Sequence, residues 1–90
     1  MKTLHLNLKA EYFDQIAAKT KMHEFRLCTP FWEKRLVGKT FDRIEIKKGY
    51  PKRADPDRIL IRPWCGLEIK TIAHPHFGSQ PVRVFAILVN

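Results

Sequence analysis

The sequence has few cysteines, few acidic residues and no long apolar run. Its two cysteines, Cys28 and Cys65, lack the dense spacing of small disulfide-stapled secreted domains, so we expect both thiols to be reduced and buried. The longest apolar run, residues 84–89, suits a buried strand and is too short to cross a bilayer. The N-terminus alternates apolar and polar residues, unlike a signal peptide. We therefore expect one cytoplasmic domain over residues 1–90, with no membrane partner.

The scarcity of acidic residues leaves the chain strongly basic. Seventeen Lys and Arg stand against nine Asp and Glu, which gives a formal net charge of +8. Such an excess favours polyanions, nucleic acid above all, because neutralising phosphates releases condensed counterions. We therefore expect RNA or a nucleotide as the partner, with an acidic protein as the alternative.

Hydrophobic periodicity predicts six strands and two helices. Helical spacing covers residues 10–19 and a short segment that starts at Thr29-Pro30, a cap followed by a first-turn proline, and ends at Gly38. Strand patterns cover residues 4–8, 21–27, 41–49, 58–64, 67–73 and 82–89.

The resulting order, β-α-β-α-β-β-β-β, contains too few helices for a doubly wound parallel sheet. We expect an α+β fold, a small and mostly antiparallel β-barrel with two helices, because closure removes exposed strand edges. Cys65-Gly66 is predicted to form a tight hairpin between the fourth and fifth strands.

One segment, KTKMHEFR at residues 19–26, concentrates charge around a strand that should be half buried. Glu24 and Arg26 are two positions apart and so share a face, where they can line a cleft. Lys21 precedes them in the turn after the helix. Lys21 and Arg26 can hold a phosphate, while Glu24 can order the site or accept from the amine of a base. An ordinary solvent-facing ion pair is the alternative.

The order of strand, helix and then a G-x-K-x-x-E-x-R motif resembles the ASCH domains of the PUA-like superfamily, in their small single-domain bacterial or phage form. The family's Lys, Glu and Arg fall on Lys21, Glu24 and Arg26, whereas its usual Gly is Lys19 here. The segment FDRIEIKKGY, residues 41–50, also resembles the strand that runs to a Gly-Tyr corner in small members. The resemblance implies a barrel with an RNA-binding or RNA-processing cleft at the motif.

Some ASCH domains are enzymes, so the resemblance also implies two catalytic alternatives, a ribonuclease and a nucleoside amidohydrolase. The amidohydrolases use a Lys, a Thr and a Glu on N4-acetylcytidine. Lys21 matches that lysine, but Glu24 stands at the threonine position and the glutamate has no evident counterpart. If the chain is an enzyme, Lys21 and Glu24 are its catalytic candidates.

The histidines of the His74-Pro75-His76 segment have three possible roles. Either ring can be the general base of a ribonuclease, if the fold brings it near Lys21 or Arg26. Otherwise both are exposed loop residues. A zinc site is disfavoured because paired cysteines and a nearby carboxylate are missing. We expect no metal and no other cofactor.

A second basic group is interleaved with aromatic residues, a mixture that suits single-stranded nucleic acid. Rings stack on bases while cations follow the phosphates. The alternative is a solvated loop whose aromatic rings lie in the core. The group consists of Lys47, Lys48, Tyr50, Lys52, Arg53, Arg58, Arg62 and Trp64.

Overall fold

The computed structural model describes residues 1–49 and 55–90. Within these ranges, the predicted order of six strands and two helices is confirmed, with two short 3₁₀ turns added at Pro56–Arg58 and Pro75–Phe77. The helices are α1 (Ala10–Ala17) and α2 (Pro30–Leu36). Neither has the length and apolarity that a membrane crossing requires. The strands are β1 (Thr3–Leu8), β2 (His23–Leu27), β3 (Arg43–Lys48), β4 (Ile59–Pro63), β5 (Leu67–Ile72) and β6 (Val82–Leu88).

The strands form two three-stranded sheets, ordered β1-β3-β4 and β2-β6-β5. Only the β1–β3 pair is parallel among the described strands. The α+β class and the mostly antiparallel pairing are thus confirmed. The described residues show two open sheets and no closed barrel, so β1 and β2 are both edge strands.

The predicted hairpin at Cys65-Gly66 is wrong. β4 pairs with β3 in one sheet and β5 pairs with β6 in the other, so this segment carries the chain from sheet to sheet. Gly66 has a φ of 90°, which an L side chain rarely adopts. Both cysteines are free, but Cys65 is exposed and Cys28 half-buried, so the expectation of two buried thiols is also wrong.

One apolar core joins the two sheets. Leu4, Leu6 and Leu8 point inward at alternate positions of β1, as the period-two pattern predicts. Phe13 and Ile16, three positions apart, place one face of α1 on the same core. The remaining buried members are Leu36, Ile44, Ile46, Phe85, Ile87 and Val89.

The two helices end in different ways. α2 begins as predicted, with the Thr29 hydroxyl accepting from the backbone N–H of Trp32 at 3.4 Å and a proline in the first turn. α1 ends in a Schellman arrangement, in which the N–H of Thr20 donates to the carbonyl of Gln15 and that of Lys19 to the carbonyl of Ile16, both at 3.0 Å. Lys19 adopts a φ of 61° there, the left-handed conformation that glycine accepts with least strain.

We therefore expect Lys19→Gly to stabilise the protein by about 1 kcal/mol, because it removes the steric penalty of a side chain in the left-handed region. Urea unfolding of the purified protein measures the change. Lys19→Ala is the matched control, since it removes the same charge but keeps a Cβ at this φ. A Lys19→Gly protein no more stable than Lys19→Ala would contradict the interpretation.

Candidate functional site

A cleft of about 960 Å³ opens between the two edge strands β1 and β2. Thr3, His5 and Asn7 of β1 line one side of it, and the segment from Glu24 to Leu27 lines the other. α1, α2 and the Pro75–Phe77 turn add further walls. The volume is typical of small-molecule sites, which span about 300–1,000 Å³.

Glu24 and Arg26 point to the core side of β2. Their antiparallel neighbours on β6 are Ile87 and Phe85, two buried core residues, and opposite residues share a face of the sheet. Glu24 is only 4% exposed. The alternative of a solvent-facing ion pair is therefore wrong. Because β2 is an edge strand, these side chains border the core on one side and the cleft on the other.

The guanidinium of Arg26 connects the two sheets. Its Nη1 donates to Glu24 Oε2 at 2.8 Å and to the carbonyl of Phe25 at 3.1 Å. Its Nη2 donates to the carbonyl of Asn7 on β1 at 3.1 Å. The same group lies 5.3 Å from the ring centre of Trp32. Arg26 is thus a bridge between the two edge strands.

Alternate backbone groups of β1 face the cleft. The carbonyls of Lys2 and Leu8 accept from Asp42 and Gly49, next to β3, whereas that of Asn7 accepts from Arg26. Even-numbered residues of β1 therefore direct their carbonyls to β3. The odd-numbered residues direct theirs toward the cleft, where an edge strand offers peptide groups to a ligand.

Lys21 enters the cleft as an ammonium group with few partners. Its side chain is 12% exposed and its Nζ is 3.8 Å from Glu24 Oε1, too far for a hydrogen bond. No described residue accepts a hydrogen bond from this Nζ. It lies 4.6 Å from the ring centre of Phe25 and 5.3 Å from that of Tyr12. Burial lowers the pKa of Lys21, and the charge of Arg26 lowers it further, while Glu24 opposes both.

The backbone around Lys21 is fixed by α1 and by Asn90. The Nδ2 of Asn90 donates to the carbonyl of Lys21 at 2.7 Å and to that of Ile16 at 3.0 Å. The N–H of Lys21 donates to the carbonyl of Gln15 at 3.2 Å. The ammonium group therefore extends from an anchored turn.

Two histidines, placed in a loop by the sequence pattern, lie at the Lys21 end of the cleft. The rings of His74 and His76 are 5.9 and 5.6 Å from that of Tyr12, which also faces Lys21. Phe77 packs on both imidazoles. The N–H of His76 donates to His74 Nδ1 at 3.1 Å, so a neutral His74 carries its hydrogen on Nε2. The sequence of residues 74–77 does not indicate which helix or strand this loop packs against.

The second basic group is dispersed, and none of its described members lines the cleft. Lys48 pairs with Asp14 at 3.1 Å and Arg62 donates to Asn90 at 3.3 Å. Trp64 packs against the core and contacts Phe41, with 5.0 Å between ring centres, as the alternative interpretation held. Lys47 lies on the face of β3 opposite Ile46, and Arg58 ends the Pro56–Arg58 turn. Tyr50, Lys52 and Arg53 lie outside the described residues.

Several cleft residues escaped sequence analysis because their patterns indicate core packing. Tyr12 and Phe25 are spaced as apolar helix and strand residues, yet both border Lys21.

Across residues 1–49 and 55–90, no group of three or more His, Cys, Asp or Glu side chains is arranged to hold a metal ion. Comparisons with protein families, with curated proteins and with solved structures found no match to this chain.

We expect Glu24→Gln to destabilise the protein by about 2 kcal/mol, because the ion pair with Arg26 is reduced to a hydrogen bond to a neutral amide and two partly buried cations lose their counter-charge. Urea unfolding measures the effect. The control is Glu68→Gln. Glu68 also pairs with a cation two positions along its strand, Lys70, but its side chain is 70% exposed. That change should cost less than about 1 kcal/mol. Equal losses in the two variants would refute a special role for Glu24.

The lowered pKa of Lys21 predicts a pH dependence. Lys21 should lose its proton below pH 10.5, the ordinary lysine value, so its positive charge disappears as pH rises through the lowered pKa. NMR titration of the lysine side-chain carbons measures this midpoint. In Glu24→Gln the midpoint should fall further, because the carboxylate that favours the ammonium form is gone. A midpoint at or above 10.5 in the unaltered protein would contradict the expectation.

Proposed function

We propose that the chain binds RNA or a nucleotide in the cleft between β1 and β2. The observation that carries the proposal is the state of Lys21, an ammonium group that faces an open cleft and donates to no described residue. A phosphate oxygen supplies the charged acceptor that this group lacks. Glu24, 3.8 Å away, leaves the ammonium only partly compensated.

The surroundings of Lys21 suit a nucleobase beside that phosphate. Tyr12, Phe25, His74 and His76 place four flat rings around the end of the cleft that holds the ammonium group. Aromatic faces bind unstacked bases with little dependence on sequence. The net charge of +8 draws polyanions to the protein at long range.

The arrangement of the motif supports an ASCH-like assignment as part of this proposal. Glu24 contacts both Lys21 and Arg26, and all three line the cleft, where the resemblance places its ligand site. Position 19, a glycine in most ASCH domains, takes a φ that glycine favours. A PUA-like barrel remains the expected family architecture, with the two described sheets as its halves.

A second candidate function, RNA cleavage, is favoured because His76 and Lys21 line the same cleft and both contact Tyr12. His76 has no hydrogen-bonded side-chain partner among the described residues, so its imidazole can take the proton of a 2′-hydroxyl. That oxygen would attack the adjacent phosphorus to form a 2′,3′-cyclic phosphate, while the bond from phosphorus to the 5′-oxygen breaks and the leaving oxygen takes a proton from water. Lys21 would stabilise the negative charge of the phosphorane. The amidohydrolase alternative is weaker, because Glu24 is ion-paired where a hydroxyl nucleophile is needed.

We expect Lys21→Met to weaken binding of a single-stranded RNA roughly tenfold and to reduce the slope of log affinity against log salt by about 1, because one phosphate contact is lost. Methionine keeps the aliphatic length of the side chain. Fluorescence anisotropy at several salt concentrations measures both quantities. The control is Lys70→Met, since Lys70 is half-exposed on β5 and outside the cleft.

Two outcomes would count against the proposal. RNA that fails to bind the unaltered protein would exclude it, and equal losses in the two variants would reduce it to non-specific charge attraction. The same samples, recovered and separated on a denaturing gel, decide between binding and cleavage. Metal-independent cleavage that is lost in His76→Ala would show that the protein is a ribonuclease. If the RNA stays intact, cleavage is excluded and binding is the function that the experiment supports.

A further inference from the structure

A second cation and ring lie in the same cleft, on α2. Phe31 is 54% exposed, and the guanidinium carbon of Arg35 lies 3.5 Å from its ring centre. Arg35 Nη1 also donates to the carbonyl of Phe31 at 3.2 Å, one helical turn earlier. The stack therefore presents a planar guanidinium and an aromatic surface to solvent, both of which line the cleft.

This stack and Lys21 stand on opposite sides of β2 in the chain. Lys21 lies two residues before the start of β2, whereas Phe31 and Arg35 lie after its end, on α2. The five residues of β2 span roughly 17 Å at the usual rise of a strand. The ammonium of Lys21 reaches along the strand to the ring of Phe25, 4.6 Å away. Between it and the stack lie the successive contacts of Glu24, Arg26 and Trp32.

The wall between the two groups is continuous. The guanidinium of Arg26 lies 5.3 Å from the ring centre of Trp32, and Trp32 contacts Phe31 edge to face with 5.2 Å between ring centres. On the opposite side, Thr3, His5 and Asn7 of β1 line the cleft. A ligand that follows this wall passes from an ammonium group to a guanidinium, with strand backbone beside it.

We propose that the cleft binds a single-stranded RNA segment of two or more nucleotides, with a phosphate at Lys21 and a second base stacked on Phe31 and Arg35. This inference rests on the proposed function and defines its ligand class. Arg35 can stack on a base or contact the next phosphate, because its guanidinium is both planar and charged. A duplex is disfavoured, since its stacked bases cannot reach the rings.

The test measures affinities of the full chain for uridine monophosphate and for single-stranded oligouridylates of increasing length. The unaltered protein should bind the oligomers more tightly than the monophosphate. Phe31→Ala should weaken the oligomers roughly tenfold, the effect of losing one base stack, and should change the monophosphate less than about twofold. Because Phe31 is exposed, its truncation leaves the core intact.

Arginine variants separate stacking from charge. Arg35→Ala should weaken the oligomers, and Arg35→Lys should restore only part of that loss, because lysine keeps the charge without the plane. Arg83→Ala is the matched control, since Arg83 is exposed on β6 and does not line the cleft. Equal effects of Arg35→Ala and Arg83→Ala would overturn the stack as a subsite.

The remaining outcomes distinguish this inference from the proposed function. If the unaltered protein binds neither probe, both proposals fail. If the monophosphate binds in a Lys21-dependent way but length brings no gain, only the second subsite is overturned. The same holds if Phe31→Ala weakens all probes equally. An oligoaspartate that competes as well as the RNA would show attraction by charge alone and overturn the nucleotide assignment.

Discussion

The bridge from Arg26 to the carbonyl of Asn7 is the interaction on which the site depends. It joins the edges of two sheets that also share one apolar core. A guanidinium can do this because its planar fork reaches acceptors in several directions at once, here a carboxylate and two backbone carbonyls. Glu24, almost fully buried, in turn needs a cation beside it. The residues that form this bridge therefore also form the walls of the cleft.

Arg26 and Lys21 differ in how closely they contact Glu24. Arg26 donates to three protein acceptors that hold the two edge strands together, while the ammonium of Lys21 donates to no described residue. The difference follows from geometry, since one cation lies 2.8 Å from Glu24 and the other 3.8 Å away. Burial also lowers the pKa of Lys21, so it holds its charge less firmly than a solvated lysine. A bound phosphate would reverse that effect by favouring the charged form.

The overall charge of the chain does not by itself single out the cleft. The formal charge of +8 is spread over both sheets, and several cations are used internally, as Lys48 is with Asp14. What distinguishes the cleft is the combination of a few cations with flat rings. Aromatic residues from α1, β2, α2 and the Pro75–Phe77 turn all reach it. Such a mixture favours a ligand that has both phosphates and bases over one that has only charge.

The sequence by itself determined the order of elements, the inward leucines of β1, the cap of α2 and the concentration of charge at residues 19–26, because these follow from local periodicity and turn chemistry. Only the tertiary structure decided that β4 and β5 belong to different sheets and that Glu24 and Arg26 face the core. Strand pairing depends on contacts far apart in the chain, and no local pattern encodes them. For the same reason His74, His76 and Phe31 joined the cleft only in the folded protein. The motif that the sequence resembles has a glycine at position 19, and Lys19 adopts the left-handed φ that a glycine would take. The turn is therefore the one that the motif predicts, although the residue differs.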